Sequence, residues 1–274
     1  MSVKPFGWVL LLPLLLSVAS CTQKQKTQKP AFALDTLYLQ DTVALVQGQT
    51  EPYLALDLEY IYPNQHPAVV GQLNKLLFND SVSSSATDAI RLYLQALAGE
   101  HAADVAINGE DMAVELLNTA IEWRTDVLYQ DDSLFTIELY KRTSPSGAAH
   151  PYTNHSFFNL TLPGGHYLTE SDLFEDTYKS ELPKILLDQL RIDYESQLAQ
   201  EGEEGQPEFY SFFEVDAVVP NGNFSIEPEG LSYCFNEYDI APYYYGTVYV
   251  FVPYERLLPL LKKDSPLKRI FPAK

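Results

Sequence analysis

From residue 52 onward the apolar positions keep clear periods, and the period changes along the chain. In Pro52–Tyr62, Leu54, Leu56, Leu58 and Tyr60 fall on one side and Tyr53, Asp57 and Glu59 on the other, which predicts a half-buried strand closed by Pro63. Val69, Val70, Leu73, Leu76 and Leu77 then follow helical spacing, and Ser81–Ser85 makes a polar break. Two further helices are expected: Ala86 to Ala98, ending near Gly99, and Glu110 to about Tyr129, with Leu116, Leu117, Ala120 and Ile121 facing inward.

The period returns to two after Leu134. Phe135, Ile137 and Leu139 define one strand and Phe158, Leu160 and Leu162 another, with Ser144–Pro151 as a loop between them. Gly164-Gly165 turns the chain, and Thr169 with Asp172 has the form of a capping box. Leu182, Ile185, Leu186, Gln189 and Leu190 carry a long helix to about Gln200, followed by the acidic loop Glu201–Glu208. The remainder reads as strands Phe212–Val219, Phe224–Ile226, Leu231–Phe235 and Thr247–Val252, with a turn at Glu227–Gly230 and a short closing helix, Tyr254–Leu261. Strands and helices come in blocks, so the expected class is α+β: a largely antiparallel sheet with packed helices. The expected division is a lobe of residues 34–145 and a C-terminal lobe of residues 146–274.

The first twenty residues have a different character. Lys4 precedes an apolar run from Phe6 to Leu16, and the small residues Ser17, Ala19 and Ser20 follow, the three parts of a secretory leader. The run is too short for a spanning helix, which needs roughly 20 apolar residues. Val18-Ala19-Ser20-Cys21 is similar to the bacterial lipobox, in which the thiol is acylated and becomes the new N-terminus. Residues 1–20 are thus expected to be a cleaved leader, Cys21 the lipidation site, and residues 21–33, with Lys24, Lys26 and Lys29, a flexible polar tether. The expected location is outside the cytoplasm, lipid-anchored to a bacterial membrane; without an acidic run after Cys21, a periplasm-facing position is favoured.

Charge narrows the partners. With 18 basic and 37 acidic side chains the chain carries −19, and loss of Lys4 with the leader makes it −20. Nucleic acid is repelled and cationic partners are attracted, although acidity also serves plain solubility. There are two cysteines, so acylation of Cys21 leaves Cys234 without a disulfide partner, in a stretch that reads as core.

Catalytic and metal chemistry find little support. His150 and His155 lack metal-ligand spacing, no nucleophile sits on a GxSxG turn, and Gly164-Gly165 is no phosphate loop. No catalytic residue, metal or cofactor is assigned. The best candidate binding surface is aromatic: Tyr238, Tyr243, Tyr244 and Tyr245, joined by His150, with Tyr249 close by. Core packing is the competing reading for each single tyrosine. If the segment is extended, Tyr243 and Tyr245 share one face and Tyr244 takes the other.

The stretch Phe224–Gly246, with Tyr238-Asp-Ile-Ala-Pro242-Tyr and the following Val252-Pro-Tyr254, resembles the DUF3298 family of envelope domains. That family includes the C-terminal domain of the lysozyme-sensing anti-sigma factor of Gram-positive bacteria and a domain accompanying some peptidoglycan deacetylases. Tyr60-Ile-Tyr-Pro63, Ala149-His150-Pro151 and Gly164–Phe174 extend the similarity over roughly residues 50–262, with a helical middle that does not match. One loop departs, since Gly147-Ala148 stands where the family carries Gly-Gly. The resemblance implies an envelope module, and in one branch a lysozyme-binding one; neither a sigma-binding segment nor a deacetylase domain is present to carry those activities over. Three readings follow: a non-catalytic binder of a lysozyme-like protein or of peptidoglycan, a cell-wall hydrolase using His150 with an acid, and a structural component of the envelope.

Overall fold

The computed structural model describes residues 32–79, 85–109, 112–201 and 208–270. The leader, Cys21, residues 21–31 of the tether, Ser81 to Ser84 of the polar break and residues 202–207 of the acidic loop lie outside the described residues.

The element order is β1 (Asp35–Ala44), β2 (Tyr53–Tyr62), α1 (Pro67–Phe78), α2 (Ala86–Asn108), β3 (Thr119–Gln130), β4 (Leu134–Pro145), β5 (Tyr152–Thr161), α3 (Glu170–Leu173), α4 (Tyr178–Glu201), α5 (Phe209–Phe212), β6 (Phe224–Ile226), β7 (Gly230–Phe235), β8 (Val248–Pro253), α6 (Tyr254–Leu257) and α7 (Leu267–Ile270). Strands β1 to β5 form one sheet in sequence order, and β6, β7 and β8 a second. All neighbours are antiparallel except β2 and β3, which α1 and α2 connect as a parallel crossover. This is the α+β class the block order predicts.

Several local expectations change. The helix expected from Glu110 to Tyr129 is a short 3-10 turn, Val114–Leu117, followed by β3. Leu117, Ala120 and Ile121 mimic helical spacing, but Ile121 and Trp123 alternate inward and pair between β2 and β4, and that cross-strand packing decides the state. α2 does not stop near Gly99; it continues to Asn108. The strand expected at Phe212–Val219 is α5 and a 3-10 turn, because Phe209, Phe212 and Phe213 close around Tyr194 at centroid distances of 5.8, 6.2 and 5.5 Å. Thr169 and Asp172 do form a capping box, at the start of α3.

Two cores result. Leu54, Leu56, Leu58 and Tyr60 of β2, with Ile121 and Trp123, pack against Val69, Leu73 and Leu77 of α1 and Ala89 and Ile90 of α2. The second core gathers Leu182, Leu186 and Leu190 of α4 around Phe224, Leu231, Tyr233, Val250 and Tyr254. It includes Tyr129 and Leu134, so the second sheet packs on the first sheet's other face, beside β4 and β5.

Asparagine side chains join the two sheets as if they were backbone. Asn159 accepts from Ile226 N–H at 3.0 Å and donates to the Phe224 carbonyl at 2.7 Å, while Thr136 donates to it at 2.9 Å. Asn223 accepts from Phe157 N–H and donates to the His155 carbonyl, and Asn236 makes both bonds to the His155 backbone, at 2.7 and 3.0 Å. Asn223 and Asn236 thus cap the outer edge of β5 and Asn159 that of β6, while Leu168 N–H and the His166 carbonyl complete the β5 edge at Asn159 and Thr161.

The chain enters at one end of the sheet. Phe32 touches His66 and Phe135, and Gln130 donates to its carbonyl, next to the Asp35–Tyr62 pair. At the opposite end lie Tyr53, Thr119, Pro145 and Tyr152. Ten strand residues separate the two ends of β2, about 30 Å at roughly 3.3 Å per residue.

Candidate functional site

The far end of the sheet holds an aromatic patch built from two turns of the β7–β8 connection and the β4–β5 loop. After β7, Asn236 N–H donates to the Asp239 carboxylate at 2.8 Å and Asp239 N–H to the Asn236 carbonyl at 3.0 Å. This tight turn holds Tyr238 at φ 69°, a left-handed conformation costly for a residue with a side chain. Its ring is 57% exposed and stacks on Tyr243 at 5.6 Å. Pro242 starts the 3-10 turn Tyr243–Tyr245. The β4–β5 loop carries Gly147 at φ +86°, where a Cβ would come within 3.0 Å of Leu116, and then brings in His150.

His150 stacks on Tyr243 with centroids 3.7 Å apart and planes 19° from parallel. Its Nδ1 lies 3.1 Å from the Pro151 carbonyl, which can only accept, so Nδ1 carries the proton and Nε2 accepts from the Tyr238 hydroxyl at 3.3 Å. Tyr152, 55% exposed, stands edge-on to His150 at 5.9 Å. His150, Tyr238 and Tyr243 are thus brought together, and Tyr152 joins them.

The other two tyrosines part company. Because Tyr243–Tyr245 is a 3-10 turn and not extended, the alternation expected for these residues does not hold. Tyr244 is 76% exposed beside Phe212, whereas Tyr245 turns inward onto Phe212 and Phe213 and donates to Gln197 at 3.2 Å.

A second constellation lies where the open sheet face meets the second sheet. His155 Nδ1 is 2.6 Å from Glu138 Oε1, and both side chains are 19% exposed. Tyr140 and Tyr249 stand edge-on to the His155 ring at 5.3 and 5.9 Å. These groups border a pocket of about 330 Å³ shared by Glu122, Arg124, Asp126, Glu138, Tyr140 and His155. Glu122 also borders a groove of about 610 Å³, lined by Gln40, Thr42, Asp57, Arg142 and Ser144.

Arg124 organises that face. It donates to both oxygens of Asp57, at 3.0 and 2.7 Å, and its Nε lies 3.5 Å from Glu122. The Arg124 hydrogen bond holds the Asp57 carboxyl below its usual value and raises the guanidinium in turn. Cys234 lies behind Tyr249; burial pushes its thiol up to about 12, which removes it as a nucleophile at neutral pH.

Sequence reading singled out His150 and missed the pairing of His155 with Glu138. The only local signal was parity: Glu138, Tyr140 and His155 occupy the positions opposite the apolar ones of β4 and β5, but their meeting depends on register. Among the described residues no three His, Cys, Asp or Glu side chains are grouped to hold a metal ion, and no helix is long and apolar enough to cross a membrane.

Comparison with known proteins agrees with this architecture. Residues 171–255 match the DUF3298 family model, described as a protein of unknown function, and this segment contains α3, α4 and the sheet that carries Tyr238. The resemblance read from Phe224–Tyr254 is therefore borne out there. A DUF3298 family member from Bacteroides fragilis NCTC 9343 superimposes with a TM-score of 0.71 at 20% identity, covering 88% of this chain and 96% of that one. A DUF3298 family protein from Pseudomonas aeruginosa PAO1 gives 0.55 at 17% identity, covering 89% and 99%. At such identities the likeness establishes the fold. No curated protein matches the chain.

Proposed function

We propose that this chain is a non-catalytic cell-envelope lipoprotein that binds a basic protein of the lysozyme kind, or peptidoglycan, through the His150–Tyr238–Tyr243 patch. The observation that carries the reading is the patch itself: Tyr238, exposed and held by a strained turn, stacked in series with the half-buried rings of Tyr243 and His150 at the sheet end about 30 Å from where the chain enters. Tyrosine rings with accessible hydroxyls suit both a protein interface and the faces of sugars. Anchoring through Cys21 would hold the body near a bilayer: the chain from Cys21 to Phe32 reaches at most about 40 Å and enters at the sheet end opposite the patch. A net charge of −20 without the leader adds long-range attraction for a basic partner.

The test uses residues 22–274, titrated with lysozyme and, separately, pelleted with insoluble peptidoglycan at low and high salt. Saturable binding to one of them that Tyr238→Ala abolishes supports the proposal. Absence of binding to both at low ionic strength sinks it. A hydrolase reading attaches to His155 and not to His150, because the carboxylate partner, Glu138, is at His155. Wall-degrading activity lost in His155→Ala would favour that alternative.

A further inference from the structure

The edge of the first sheet opposite β5 is built differently, and its backbone directions can be read from the hydrogen bonds. In β2, Tyr53 N–H donates to Asn118 and Ile61 N–H to Thr125, both on the β3 side. Odd-numbered β2 residues therefore direct their backbone groups towards β3, and even-numbered ones towards β1. The register pairs Leu54 with Val43, Leu56 with Asp41, Leu58 with Leu39 and Tyr60 with Leu37. It follows that Leu37, Leu39, Asp41 and Val43 bond inward, while Thr36, Tyr38, Gln40 and Thr42 turn their N–H and C=O groups outward. Thr42 fits this assignment, since its N–H is taken by the Asp41 side chain at 2.8 Å. Among the described residues β1 pairs with β2 alone.

Beside this edge runs an apolar groove of about 260 Å³ between β1 and α2, bordered by Leu37, Leu39, Thr87, Ile90, Arg91 and Leu94. A strand added to β1 would place every second side chain over the groove and the alternate ones beside Tyr38 and Gln40 on the open face. That open face carries Glu59 and Asp57, and Asp35 and Asp41 lie along the edge itself. The two nearby cations are engaged, Arg91 with Asp88 at 3.6 Å and Arg124 with Asp57.

We infer that the outer edge of β1 is a strand-addition site for an extended segment of a partner protein in which apolar residues alternate with lysine or arginine. The groove selects the apolar positions and the acidic face selects the basic ones. The chain's own tether is basic but has no large apolar residue to fill the groove before Phe32. A second copy would bring Asp35 and Asp41 of both chains together at −19 each. The site is distinct from the aromatic patch.

The probe is a labelled eight-residue peptide alternating valine and lysine, followed by fluorescence anisotropy against residues 22–274. Saturable binding is expected, about tenfold weaker to the double variant Tyr38→Pro/Gln40→Pro, which removes two outward donors and no ladder bond. A peptide methylated on alternate backbone nitrogens should not bind, and this arm does not depend on how the variant folds. Tyr238→Ala should bind the peptide normally, which separates this site from the proposed wall-binding patch. Equal affinity for the methylated peptide, or no binding of the unmodified one, overturns the inference. Sedimentation showing a dimer that the proline variant dissolves also overturns it, by assigning the edge to a second copy.

Discussion

The imidazole of His150 lies flat on the ring of Tyr243, 3.7 Å between centroids, although the two residues belong to different sheets' loops. Tyr238 closes over this pair from a turn that a side chain normally avoids, and strain retained at an exposed residue is a mark of selection for something other than stability.

That strain can be measured. Both Tyr238→Ala and Tyr238→Gly lose the ring, but only glycine relaxes at φ 69°. Tyr238→Gly should therefore be the more stable of the two by about 1 kcal/mol, while both lose binding at the patch. Equal melting temperatures for the two variants would show that the turn carries no strain.

Asn159 is the main staple between the sheets, and no water replaces its bonds at 1% exposure. Asn159→Leu leaves the Ile226 N–H and the Phe224 carbonyl buried without their partner. The expected loss is about 3 kcal/mol in denaturant unfolding, from two unsatisfied groups at roughly 1–3 kcal/mol each. A loss under about 1 kcal/mol would mean that the second sheet docks by its apolar core alone.

Acid should loosen the β3–β4 hairpin. Burial pushes the Asp131 carboxyl up, but bonds from Ser133 N–H, the Tyr129 hydroxyl, Leu134 N–H and the Ser133 hydroxyl outweigh it and hold the group below its ordinary value. Its folded value is depressed, so the unfolded chain takes up the proton first as pH falls. The stabilisation is complete above the ordinary carboxylate range and is lost on descending through it, from about pH 4 downward. Asp131→Asn should flatten the stability curve in that window; an unchanged acid slope would remove Asp131 as its source.

The thiol of Cys234 should be silent. Buried, and with its ionisation pushed up to about 12, it should not react with a disulfide reagent at pH 8 until the protein unfolds. Rapid labelling of the native protein would contradict the packing of β7 beneath Tyr249.

Salt gives a fifth handle. Association with a basic partner should weaken as ionic strength rises past the point where the screening length falls below about 10 Å, whereas association with peptidoglycan, whose peptide stems carry carboxylates, should not. Comparing the two salt slopes distinguishes the two partners proposed for the patch.

Much of the candidate site was invisible along the chain for a reason specific to each residue. Tyr238, Tyr243 and His150 were legible as a candidate surface, with core packing the competing reading for each tyrosine, but which of the neighbouring tyrosines would join them depended on the 3-10 turn that sends Tyr245 into the core. His155 and Glu138 are unremarkable polar positions on their strands until register sets them 2.6 Å apart.

The amino-acid order alone determined what depends on near neighbours: the inward face of Leu54, Leu56, Leu58 and Tyr60, the capping box at Thr169, the turn at Glu227–Gly230 and the buried setting of Cys234. Tertiary structure decided what depends on partners far along the chain. It made residues 119–130 a strand by inserting them between β2 and β4, and it set β2 and β3 parallel. It also let the Asn223 and Asn236 amides cap the edge of β5 and the Asn159 amide the edge of β6. Side-chain alternation is imposed by the backbone within a few bonds, whereas pairing and register are chosen by the burial and hydrogen bonding of whole surfaces, which no short window of sequence contains.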